Sequence, residues 1–259
     1  MKITILGVRG SIPTSGEGFL EYGGATACCL VEAGDQAIYL DAGSGLLHSP
    51  DTGDRKVSLL ITHTHMDHIL GLPLSSLLLS HRRIDLYAKT RDGLDARQQL
   101  ERLMSPPLWP VGVDIYPSDV VFHDIGTGIQ LGNVYVDTME SNHPGGSTIF
   151  KLEHEGKSLV YATDYEHSED KQAELAEFAK DTDLLLYDAQ YTDEEYERMK
   201  GFGHSTVFEG MKLFEKSGAK RILFVHHDPR HNDDKLKGME AGLKDTRAGF
   251  AREGMVLEL

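Results

Sequence analysis

Short apolar, β-branched runs alternate with segments of helical spacing along the whole chain. ITILGV (3–8), ACCLVEA (27–33), QAIYLD (36–41), VSLLIT (57–62) and IDLYA (84–88) predict a first series of strands. VVFHD (120–124), VYVDTME (134–140), TIFKLEH (148–154), LVYAT (159–163), LLLYD (184–188) and ILFV (222–225) predict a second. Asn133, Gly145–Gly146 and Glu155–Gly156 punctuate that second series as turns do. Helical spacing covers Leu94–Met104, Asp170–Lys180, Thr206–Lys216 and Asp233–Phe250. The last of these sets Leu236, Met239, Leu243 and Phe250 near one face, behind Asn232 as a candidate N-cap. Strands then helices occur in the first 110 residues and again in the remainder, with no short-period repeat. An α/β protein with two mixed sheets face to face and helices outside would bury both series. The Pro-rich stretch 105–117 has no charge run or Gly/Ser tract beside it, so it reads as a surface connection within one domain spanning 1–259.

Composition narrows the partners. The 26 Lys+Arg against 41 Asp+Glu give a net charge of −15, and 40% of residues are apolar. Such a chain can bury a substantial core, but it lacks the basic face that phosphate-driven nucleic-acid binding needs. A small anionic substrate held by metal ions is compatible with that charge. Cys28 and Cys29 are adjacent in an apolar run, which suits neither a disulfide framework nor a thiolate zinc site. The apolar stretch before Arg9 is too short for a signal segment, and no run approaches the roughly 18 apolar residues of a spanning helix. The expectation is a cytoplasmic protein with no membrane partner. A homodimer is left open.

The chemistry sits where apolar runs end. VSLLIT ends at His63, VYVDTMESN at His143, LVYAT at Asp164, ILFV at His226 and AIYL at Asp41. Strand ends deliver residues to a common rim, where loops converge on a ligand. THTHMDHILGLP is the densest site, with His63, His65, Asp67 and His68. His63 and His65 point to the same side of an extended chain. The turn after them sends Asp67 and His68 toward a second centre before a helix at LGLP. Imidazole nitrogen and carboxylate oxygen suit Zn²⁺, or Mn²⁺ and Fe²⁺. His48, His81, His123, His154 and His167 have no partner pattern and read as ordinary histidines.

The H-x-H-x-D-H motif, Asp41 before it, and His143, Asp164 and His226 after it resemble the metallo-β-lactamase superfamily. The resemblance covers essentially the whole chain and implies an αββα sandwich. It implies two divalent ions per chain: His63, His65 and His143 for one, Asp67, His68 and His226 for the other, Asp164 bridging. His227 follows His226 directly, so either could be the ligand. ILGVRGSIPT is similar to the opening of ribonuclease Z and its small phosphodiesterase relatives, and GFGHST (201–206) to their H-S-T element. That resemblance implies that His204 assists departure of the leaving oxygen. Ser205 stands beside it, as a substrate contact or a helix N-cap.

The acidic, helix-like interval Tyr165–Gly203 lacks the Gly/Pro-rich clamping arm of bacterial ribonuclease Z. The expected activity is therefore hydrolysis of a small phosphodiester such as a cyclic nucleotide, with tRNA a poor substrate. Asp67 would orient the attacking water or accept its proton, and His204 would protonate the leaving oxygen. Asp41 and Asp188, each ending a strand, read as carboxylates that fix an imidazole tautomer, or as caps or turns. Arg9 could meet a phosphate at the rim or be a surface cation. Ribonuclease Z-like RNA processing, lactone or thioester hydrolysis, and a non-catalytic metal-binding module are the rival readings.

Overall fold

A computed structural model describes residues 1–259. The first sheet contains β1 (Lys2–Gly7), β2 (Cys28–Ala33), β3 (Gln36–Leu40), β4 (Lys56–Leu60), β5 (Arg83–Ala88) and β6 (Asp119–Asp124). The second contains β7 (Ile129–Leu131), β8 (Val134–Glu140), β9 (Thr148–His154), β10 (Lys157–Ala162), β11 (Leu184–Asp188), β12 (Ile222–Val225) and β13 (Ala248–Phe250). β14 (Val256–Glu258) returns to pair antiparallel with β1 at the edge of the first sheet. Each sheet thus has seven strands, ordered β14-β1-β2-β3-β4-β5-β6 and β13-β12-β11-β10-β9-β8-β7. Both are mixed, as the alternation of runs predicts: β3 to β6 are parallel, and so are β10 to β13.

The strand period explains the layering. In β11, Leu184 and Leu186 join the core between the sheets, while Leu185 and Tyr187 join the core beneath the outer helices. The inter-sheet core runs through Ile3, Val31, Leu40 and Leu60 on one side and Val136, Phe150, Leu159 and Leu223 on the other. Outside the first sheet lie α1 (Met66–Ile69) and α2 (Ala96–Leu103), whose Ile69 and Leu100 share one buried core with Leu59 and Leu86 of the strands. Outside the second lie α3 (Glu169–Phe178), α4 (Asp193–Met199), α5 (Val207–Ser217) and α6 (Asp233–Ala241). The result is an αββα sandwich. Trp109 and Tyr116, in the Pro-rich stretch, pack on the outer core of the first sheet, and the Trp109 indole donates to the Tyr116 hydroxyl (2.9 Å). No helix is long and apolar enough to cross a membrane.

Two predicted helices differ from those observed. The helix predicted over Asp233–Phe250 starts where expected, capped by Asn232, but ends at Ala241. Gly242 and the polar KDTR run end it, and Phe250 packs against Phe224 as part of the edge strand β13. The LGLP helix is a single 3₁₀ turn over Leu72–Leu74, and the α-helix begins earlier, at Met66. Asp67 and His68 therefore sit within its single turn and not in a loop. Phe150, fully buried between the sheets, tests the sandwich itself. Phe150→Ala should lower stability by about 3–5 kcal/mol, read as a shift of the urea midpoint at constant slope.

Candidate metal centre

β3, β4, β10, β11 and β12 run the same way within their sheets, so their C-terminal ends share one rim. Asp41, Asp164 and His226 leave their strands in the left-handed region, with φ of 63°, 53° and 62°. That sharp turn directs each side chain inward across the rim, at a cost the packed surroundings must hold in place. His63 follows β4 by three residues, and His143 lies in the loop after β8.

Two groups of donors result. His63, His65 and His143 offer one ligand atom each within 4.8 Å of one another, and so do Asp67, His68, Asp164 and His226. Asp164 faces both. Its Oδ1 lies 3.7 Å from His63 Nε2 and 3.9 Å from His143 Nε2. Its Oδ2 lies 3.1 Å from His68 Nε2 and 3.3 Å from His226 Nε2. Asp67 Oδ2 completes the second group, 3.2 Å from His226 Nε2 and 3.3 Å from His68 Nε2. The second group is buried throughout, whereas His65 is exposed, so the first group is the one that solvent reaches.

These residues fit divalent ions. His63 Nε2 is buried with no hydrogen-bond partner, which is costly unless something occupies the space it faces. Donors about 2.0–2.1 Å from a tetrahedral ion stand about 3.3 Å apart, close to the separations above. The charge balance agrees. Burial alone would push the His68 pKa down, yet Asp164, Asp67 and Asp41 hold it well above the usual value. Burial would raise the Asp67 and Asp164 carboxyls, yet His68 and His226 hold both well below the usual range. The carboxylates thus attract positive charge into a dry site, and a cation can replace the protons they collect. His63, His65 and His143 are each pushed down, mainly by burial, so they present neutral nitrogens.

A further layer holds the donors in orientation. His68 Nδ1 donates to Asp41 Oδ2 at 2.8 Å. Asp41 also accepts from the Thr62 backbone (2.8 Å) and the Tyr161 hydroxyl (3.1 Å). Asp188 Oδ2 accepts from His204 Nδ1 (2.9 Å) and from the Asp164 backbone N–H (3.0 Å). It therefore fixes the His204 tautomer and the Asp164 backbone together, leaving His204 Nε2 unengaged. The His204 ring stacks on His226 with centroids 4.8 Å apart.

Sequence reasoning missed three contributors. The Ser11 backbone N–H donates to Asp67 Oδ2 at 2.7 Å. The Gly203 carbonyl accepts from His143 Nδ1 at 3.1 Å. Glu166 accepts from the backbone N–H groups of Gly201 (2.8 Å) and Gly203 (2.9 Å) and from the Tyr196 hydroxyl (3.0 Å). It thereby pins the turn that sets both His143 and His204. Backbone donors leave no mark on side-chain patterning. Glu166, however, stands two residues beyond Asp164 and outside the acidic helices, a position that marks it.

Arg9 and Ser205 lie elsewhere than expected. The Arg9 guanidinium is fully buried, donates to the carbonyls of Gly23 (2.7 Å) and His231 (2.6 Å), and lies 5.0 Å from the Phe19 ring centroid. It ties the N-terminal loop to the 228–231 loop, and burial pushes its pKa down to about 10. With no exposed surface it cannot meet a phosphate, which corrects that expectation. Ser205 is fully buried, its hydroxyl within 2.8 Å of the Tyr187 hydroxyl and 2.9 Å of His167 Nδ1. It is committed to these interior partners, and the helix cap beside it is Thr206. His226 faces the donors; His227 turns away, donates from Nε2 to the Ala251 carbonyl (3.1 Å) and stacks on Phe250. Of the histidines read as ordinary, His123 pairs with Asp85 (2.8 Å) at the sheet edge.

Two seven-stranded sheets sandwiched by helices, with paired His/Asp donors at one rim, define the class of metal-dependent hydrolases with the metallo-β-lactamase fold. Residues 37–227 match the family described as the beta-lactamase superfamily domain, and the chain belongs to that superfamily. It is 26% identical to Ribonuclease Z of Haloferax volcanii (strain DS2), covering 100% of this chain and 95% of that protein. The metallo-beta-lactamase fold protein YhfI from Bacillus subtilis superposes with a TM-score of 0.74 at 17% identity, over 100% of this chain and 99% of that one. A diphosphatase from the PhnP family gives 0.71 at 19%, over 100% and 97%.

Gly203 provides the test of this scaffold. Its φ is +91°, and a Cβ there would stand 2.0 Å from His143 Nδ1. Gly203→Ala must displace His143 or the turn. Zinc affinity should fall by about 10–100-fold in a competitive chelator titration, the usual cost of disturbing a group that orients a ligand imidazole.

Proposed function

We propose that the protein is a dinuclear metal-dependent phosphodiesterase acting on a small phosphodiester such as a cyclic nucleotide. The observation that carries this reading is His204: Nδ1 committed to Asp188, Nε2 free, and a ligand atom within 4.8 Å of those of His143 and Asp164. His63, His65 and His143 would hold one ion, Asp67, His68 and His226 the other, with Asp164 shared. The donor set suits zinc, and the same donors accept Mn²⁺ or Fe²⁺. When bound, such ions neutralise phosphoryl oxygens and lower the pKa of the attacking water.

The rest falls to the chain's own groups. Asp67, steadied by the Ser11 N–H, orients the attacking water. In-line displacement on phosphorus expels an alkoxide, which is a poor leaving group without a proton. His204 Nε2 supplies that proton, and Asp188 stabilises the imidazolium in the preceding state. Thioester hydrolysis has less use for an acid so placed, because a thiolate leaves readily as an anion.

Ribonuclease Z-like RNA processing is the second reading, favoured by the name of the Haloferax relative. The alignment to that relative runs to 310 positions against a chain of 259, so the relative carries residues with no counterpart here. The net charge of −15 and the acidic first turns of α3 and α4 disfavour a long RNA. We assign tRNA precursors as poor substrates. Efficient 3′ trimming at physiological salt, in competition with small diesters, would reverse that assignment.

Two outcomes follow for the reconstituted enzyme. Elemental analysis should find two metal equivalents per chain, and Asp164→Ala should lower occupancy of both; loss of one alone would mean that the carboxylate is not shared. His204→Ala should keep both metals while turnover of a cyclic nucleotide falls by about 10²–10⁴. The loss should shrink for bis(p-nitrophenyl) phosphate, whose leaving group needs little protonation. Equal losses on both would assign His204 to charge stabilisation instead.

A further inference from the structure

Beside the exposed donor group lies a pocket of about 330 Å³, reached from His63 and His65. This is within the range of small-ligand sites. The donor-bearing loops form one side of it, and Arg91 to Leu103 around α2, together with Leu108, form the other, which contributes no donor to the metal centre. Arg91 is held in its wall by Glu140 (2.7 Å) and the Thr148 hydroxyl (3.0 Å). Gly146 leaves room for it, since a Cβ there would meet the Arg91 guanidinium at 2.0 Å. Arg102, on the last turn of α2, is exposed, lines the same pocket and makes no ion pair or hydrogen bond within the chain. Met66 and Leu108 also line the pocket although they are 55% and 67% exposed. Asp92 is its one carboxylate.

On a surface with a net charge of −15, an unpaired arginine beside the reactive rim is a local exception. Exposed apolar side chains flanking it suit the face of a planar ring, and a carboxylate accepts from an exocyclic amine or a ribose hydroxyl. We infer that this pocket binds the nucleoside part of the substrate, with Arg102 engaging its phosphate or base edge, and that it selects single nucleotides. The inference rests on the phosphodiesterase reading for its biological meaning, but nucleotide binding can be measured without turnover.

Trp109, the only tryptophan in the chain, follows Leu108 directly and reports on this wall. Metal-free protein titrated with 3′,5′-cyclic AMP should give a saturable change in its emission, and Arg102→Gln should weaken binding about tenfold or more. In the metal-loaded enzyme the same variant should raise KM for cyclic AMP more than for bis(p-nitrophenyl) phosphate. Equal affinity in the two proteins, or no saturable change while the loaded enzyme cleaves cyclic AMP, would overturn the pocket. Displacement of cyclic AMP by a tRNA precursor at lower concentration than by a mononucleotide would overturn its assignment to small ligands. Arg102-dependent binding in a protein that cleaves no diester would refute the phosphodiesterase reading and leave the pocket standing.

Discussion

A single carboxylate set between two groups of imidazoles governs this molecule. Asp164 puts Oδ1 toward His63 and His143 and Oδ2 toward His68 and His226. Against the effect of burial, Asp164 raises the pKa of His68 and His226 in this rim and faces the neutral nitrogens of His63 and His143, so it supplies the negative charge that both groups need to hold a cation. Its backbone is correspondingly constrained. The φ of 53° is uncommon for a non-glycine residue, and the Asp164 N–H is tied to Asp188. Asp188 holds His204 through the same oxygen, so the shared carboxylate and the candidate acid are placed by one side chain.

The sandwich explains how such a rim is possible. Strands β10, β11 and β12 are buried on both faces, between the sheets and under α3, α5 and α6, so their ends are fixed without relying on the loops beyond them. The loops that do matter are tied down: Glu166 fixes the Gly201–Gly203 turn, and Arg9 links the N-terminal loop to the 228–231 loop. Precision at the site therefore comes from buried strand ends plus a few polar ties, each with a named partner.

Much of this was legible in the sequence, for a physical reason. Fully buried strands such as LLLYD and ILFV read as uninterrupted apolar runs, and a titratable residue at the end of such a run has few structural uses. His63, His143, Asp164 and His226 were visible on that ground alone. The short strands β7, β13 and β14 were not, because three residues at a sheet edge carry too little pattern, and Phe250 was drawn into the preceding helical period. Arg9 misled because a charged residue in a glycine-flanked loop reads as exposed, whereas here backbone carbonyls satisfy it in the interior. Whether His226 or His227 faced the centre depended on the left-handed turn at His226, which no side-chain spacing encodes.

The central claim is that Asp164 is shared between two ions. Anomalous diffraction from crystals of the zinc-reconstituted protein tests it most directly. Two peaks about 3.5–4 Å apart, one on each side of the Asp164 carboxylate, are the predicted result. A single peak, or two peaks of which only one lies within bonding distance of Asp164, would contradict it.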